Sequence, residues 1–77
     1  MPNRIEDSTL YQTELYDYVG GKQTYIGKAH PGSAENAAVW QIYKLGYTGN
    51  NWTSKKWANG SSEYEFKWSD RAGYIYS

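Results

Sequence analysis

Apolar and polar residues alternate most plainly between residues 62 and 68, where Tyr64, Phe66 and Trp68 interleave with Glu63, Glu65 and Lys67. Successive side chains of a strand point to opposite faces, so this spacing predicts a strand with one dry face. Further upstream, TLYQTELYDYV (residues 9–19) is rich in strong β-formers and contains neither Gly nor Pro. Tyr11, Thr13, Leu15 and Val19 fall on one of its faces, and Leu10, Tyr16 and Tyr18 on the other. Both faces are partly apolar, which predicts a strand covered on two sides or set in an interface. A helix is the competing reading, weakened by the Tyr, Thr and Val content.

Turn residues divide the rest. Gly20-Gly21 reads as a hairpin link to a strand over 22–29. His30-Pro31-Gly32-Ser33 is a loop, and Ser33 can cap a short helical turn over the Ala-rich residues 34–38. Strands are expected from about Val39 to Thr48 and over 52–58, joined by Gly49-Asn50-Asn51. Asn59-Gly60 is a type I′ hairpin signal leading into the strand over 62–68, and a short terminal strand follows Gly73 over 74–77. The fold class expected is all-β. It is a small antiparallel meander of five to six strands, closed as a compact sandwich or open barrel, with a short helical turn near residues 34–38. Residues 1–8, polar and without a period, read as an N-terminal arm; residues 9–77 read as a single β domain.

Composition sharpens this picture. A chain of 77 residues buries only about 60% of the surface its unfolded form exposes, so a lone core is marginal. With no Cys, disulfides and thiolate metal sites are excluded, and the single His30 cannot assemble a metal site alone. Aromatic packing or assembly with other subunits remains. Fourteen aromatics, nine of them Tyr, outnumber the nine Leu, Ile and Val, so the core must be built of rings with hydroxyls at its rim. Such a domain is suited to completing its core in a partner. Eight basic residues balance eight acidic ones. No basic stripe exists beyond Lys55-Lys56, which argues against a nucleic-acid partner. No stretch reaches membrane-span length, and the acidic, polar start lacks the pattern of a secretion signal.

Candidate chemistry is sparse. His30 sits in a Pro-Gly loop, Glu63 and Glu65 share the solvated face of a strand, and Gly20-Gly21 lacks the helix and Lys-Ser/Thr of a phosphate loop. Neither catalysis, a metal nor a cofactor is expected. Trp52 and Trp57 flank a Ser-, Thr- and Lys-rich strand and differ in parity. They are candidates for a glycan platform, and core filling is the alternative. In Trp68-Ser69-Asp70-Arg71, Asp70 and Arg71 could grip a ligand carboxylate or hydroxyl. The competing reading makes Trp68, Asp70 and Arg71 a structural clasp. Asp70 then accepts turn N–H groups, while Arg71 stacks on an aromatic or pairs with an acid.

Three stretches, YIGKAHPGSAENAAVWQIYKL, KWANGSSEYEFKW and SDRAGYIYS, resemble a family of small virion-associated proteins of tailed bacteriophages and environmental viral sequences. Its pattern runs YIG-A-PG-A-S-A-W-I-K, then ADG followed by an F and a W, then DDRA-L-YS. Here it is matched by Tyr25, Ile26, Gly27, Ala29, Pro31, Gly32, Ala34, Trp40, Ile42, Lys44, Ala58, Gly60, Trp68, Asp70, Arg71, Ala72, Tyr76 and Ser77. Asn59 stands where the family has Asp, Tyr74 where it has an aliphatic, and the N-terminal strand lies outside the resemblance. The resemblance implies a virion component assembled in the host cytoplasm and carried outside the cell on the particle. Its partners would be other copies of itself or other virion proteins. Edge strands with unpaired N–H and C=O groups suit that role, with Leu10, Tyr16 and Tyr18 as the assembly surface. Three functions stay open: a non-enzymatic capsid, neck, tail or fibre subunit; a carbohydrate-binding module; and a self-assembling extracellular fibre subunit of non-phage origin.

Overall fold

The computed structural model describes residues 12–77. The expected arm over 1–8, the start of the strand expected from residue 9, and Leu10 lie outside the described residues. Four antiparallel strands form one open sheet in the order β1 (Thr13–Val19), β2 (Lys22–Ala29), β3 (Gln41–Thr48) and β4 (Asn51–Trp57). Gly20 and Gly21 both take positive φ, +61° and +81°, which the tight β1–β2 hairpin requires and which residues with a Cβ resist.

Register assigns the faces, because directly opposed residues in an antiparallel pair share a side. Leu15, Gly27 and Ile42 form one row, and Asp17, Tyr25, Lys44 and Lys56 form the next. That side is closed. Ala29, Trp40, Ile42, Ala58, Phe66 and Trp68 make its buried cluster, with Leu15, Tyr25, Tyr74 and Tyr76 packed around it. Gly27 is the seat of the cluster: Trp68 lies where a side chain on this residue would be.

The roof over that face is a strap, not a second sheet. The strands expected over 62–68 and 74–77 reduce to single antiparallel bridges, Trp40 with Phe66 and Ala58 with Tyr76. The fold is therefore a four-stranded open sheet, where five or six strands in a sandwich or barrel were expected. The cause lies in the backbone partners. Glu63 N–H donates to Ser61 Oγ, Lys67 N–H donates to the Tyr74 hydroxyl, and the Ser62 carbonyl accepts from the Gln41 side chain. Side chains thus take groups that a ladder would use. From Trp68 to Gly73 the chain coils as a 3-10 helix. Asn59 and Gly60 do adopt the positive φ of the expected turn, but the chain leaving it crosses the sheet and does not run back along β4.

Residues 34–38 form one hydrogen-bonded turn, Ala37 N–H to Ala34 O, and no helix. Ser33 does not cap it, since its hydroxyl donates back to the His30 carbonyl at 2.7 Å. The Ala34 carbonyl accepts from the Trp40 indole as well, and the Glu35 carbonyl accepts from the Ser69 N–H where a helical donor would stand. Tertiary donors have replaced helical ones.

Candidate functional site

The second face of the sheet carries the row Tyr16, Ile26, Tyr43 and Trp57, one residue from each strand in direct cross-strand register. Opposed Cβ atoms lie about 5 Å apart, so the row is a continuous apolar band across the whole sheet. Ile26 is buried, Tyr43 and Trp57 are half-buried, and Tyr16 is exposed. The Tyr43 and Trp57 rings meet edge to face with centroids 5.1 Å apart. Lys55 Nζ sits 4.3 Å from the Tyr43 centroid and 4.8 Å from that of Trp57, with Lys28 Nζ 5.8 Å from Tyr43. At the β1 end, the Tyr16 hydroxyl donates to Glu14 Oε1 at 2.7 Å. That shared proton holds the phenol above its ordinary pKa. The band is thus a row of rings and Ile26 with lysine ammoniums over Tyr43 and Trp57 and the Glu14 carboxylate at its β1 end.

Two of the three residues expected at the assembly surface stand here. Tyr16 and Tyr18 project from the same side of β1 and are 52% and 61% exposed. The two tryptophans proposed as a glycan platform are not brought together. Trp52 lies near the start of β4 and is 61% exposed, its indole N–H donating to the Ser54 carbonyl. Trp57 lies at the other end, about 16 Å away along an extended strand, against Tyr43.

The WSDR cluster divides as well. Arg71 Nε donates to Asp17 Oδ2 at 2.9 Å and Nη1 to the Trp68 carbonyl at 3.1 Å, while its guanidinium carbon sits 4.6 Å from the Trp68 ring centroid. The Arg71 carbonyl accepts from the Tyr76 hydroxyl at 2.6 Å. Burial raises the pKa of that phenol strongly. Asp70 is exposed, and among the described residues its carboxylate makes no hydrogen bond. The clasp thus consists of Trp68 and Arg71 with Asp17 and Tyr76. Asp17 went unnoticed in the sequence because it lies 54 positions away and only strand register reveals it.

Among the described residues, no three His, Cys, Asp or Glu side chains converge to hold a metal ion. Nor is any helix there long and apolar enough to cross a membrane. No protein-family model, curated protein or solved structure matches the chain.

Proposed function

We propose that the chain is a non-enzymatic assembly protein that pairs with a second copy of itself along β1 and its open aromatic face. The context implied by the resemblance over residues 25–77 is the virion of a tailed phage. The observation that carries the reading is the cross-strand band from Tyr16 to Trp57, exposed at its Tyr16 end, on a sheet whose other face is roofed by its own chain.

The two edges of the sheet differ, and this directs the pairing. β4 is partly capped: Trp57 exchanges both backbone hydrogen bonds with Ser77, and Asn59 N–H donates to Ile75 O. Among the described residues β1 pairs only with β2, so its outer edge offers free N–H and C=O groups. Antiparallel pairing of two β1 strands centred on Tyr16 would set Glu14 against Tyr18 and Leu15 against Asp17, with no like charges opposed. The result is a two-fold, self-complementary contact.

Sedimentation velocity tests this directly. Wild type is expected to associate at micromolar concentration, and Tyr16→Lys to be monomeric. A wild-type monomer throughout that range would remove the proposal. The exposed Trp52 indole favours one second reading, glycan binding. Loss of glycan-array signal in Trp52→Ala supports that reading, and a blank wild-type array eliminates it.

A further inference from the structure

On the closed side of the sheet lies a pocket of about 300 Å³, lined by Lys44, Gly46, Ser54, Lys56, Tyr74 and Tyr76. Lys44 and Lys56 are direct cross-strand partners, and like charges so placed destabilise a sheet. Among the described residues the one ion pair is that of Arg71 with Asp17, so no carboxylate there neutralises either ammonium. Lys44 is held in position, its Nζ lying 5.6 Å from the Tyr25 centroid and 5.9 Å from that of Tyr76. In the next pair along the same face, Gly46 faces Ser54, whose Oγ occupies the space a Cβ on Gly46 would need. That hydroxyl makes no hydrogen bond among the described residues. The Tyr74 hydroxyl accepts from Lys67 N–H at 2.8 Å, which leaves its proton to donate.

We infer that this pocket binds a phosphate or sulfate ester carried on a sugar-sized ring. Two ammoniums and two hydroxyls supply donors with no acidic acceptor among them. Lysines are point charges without the planar fork that matches a carboxylate, so they suit a tetrahedral oxyanion. The Tyr74 and Tyr76 rings form apolar walls for the ring bearing it, and the volume is at the small-ligand end of binding pockets. A bound dianion would also relieve the Lys44–Lys56 repulsion. The pocket lies on the opposite face from the aromatic band, so this inference is independent of the assembly reading.

The test is an amide NMR titration at constant ionic strength with inorganic phosphate, glucose 6-phosphate, glucose 6-sulfate and glucose. Saturable shifts are expected at Lys44, Gly46, Ser54 and Lys56 with the anions and none with glucose. Glucose 6-phosphate should bind more tightly than inorganic phosphate. Lys44→Gln and Lys56→Gln should each weaken binding by about tenfold or more. Lys56→Gln should keep the wild-type melting temperature or raise it, which separates lost binding from lost folding. Affinity that falls from pH 7 to pH 5 marks the phosphate ester, whose second pKa is about 6; pH-independent binding of the sulfate marks the sulfate ester. The inference is overturned if none of the anions gives saturable shifts at these four residues. It is equally overturned if Lys56→Gln binds as wild type does, or if glucose binds as well as its esters.

Discussion

A Cβ added at Gly27 would sit 2.5 Å from Cε3 and 2.8 Å from Cζ3 of Trp68, and 3.3 Å from Cε3 of Trp40. Both indoles are almost fully buried, so neither can swing aside. Gly27→Ala is therefore expected to cost about 1–3 kcal/mol by overpacking, read from the urea midpoint, with tryptophan emission shifted toward the exposed value. An unchanged midpoint would mean that the strap does not seat on this strand. At Arg71 the Asp17 partnership is half-open, the two side chains being 28% and 32% exposed, and solvent screening reduces its value. A double-mutant cycle with Asp17→Asn should give a coupling below about 1 kcal/mol. Arg71→Ala alone should lose about 1–2 kcal/mol, because stacking on Trp68 goes as well. Tyr76 adds a pH dependence. The unfolded phenol ionises near pH 10, whereas burial raises the folded value, so the folded chain keeps its proton longer. Its contribution is complete below about pH 10 and is lost as the pH rises from there toward the folded value. Tyr76→Phe should flatten this alkaline decline in a thermal-melt series, at a cost of about 1 kcal/mol near neutrality from the bond to the Arg71 carbonyl.

Amide hydrogen exchange distinguishes the strands from the strap. Residues 22–29 and 41–48, paired on both sides over part of their length, should exchange slowly. Residues 61–65, bonded mainly through side chains, should exchange fast; strong protection there would restore the strand expected from alternation. That expectation failed for an instructive reason. Alternation records which side chains are dry: Phe66 and Trp68 are indeed buried at 5% and 4%. It carries no information on whether the intervening N–H and C=O groups meet another strand. The hairpins were legible because Gly20-Gly21 and Gly49-Asn50 fix turns locally. Parity likewise put Tyr16 and Tyr18 on one side of β1, and both are exposed there. The clasp between Arg71 and Asp17 and the pairing of Lys44 with Lys56 were not. Both depend on register across a sheet with irregularities at Asp17/Tyr18 and Gly46/Tyr47, and a shift of one residue exchanges the faces.

The described residues form one sheet with a roof on one side, a form that leaves a short chain with little buried surface. Pairing would add to that surface, so the melting temperature should rise with protein concentration in wild type and become independent of it in Tyr16→Lys. A melt that does not vary with wild-type concentration would count against the pairing. The direction of synthesis adds a further consequence. The rings of the roof, from Phe66 to Tyr76, follow all four strands in the chain. Hairpins can therefore form as the chain leaves the ribosome, but the apolar side of the sheet stays bare until residues 66–76 have cleared the exit tunnel. During that interval the nascent sheet presents Leu15, Tyr25 and Ile42 to solvent, where they are open to chaperones or to a neighbouring nascent chain. The closed side is complete only once Trp68 is seated on Gly27.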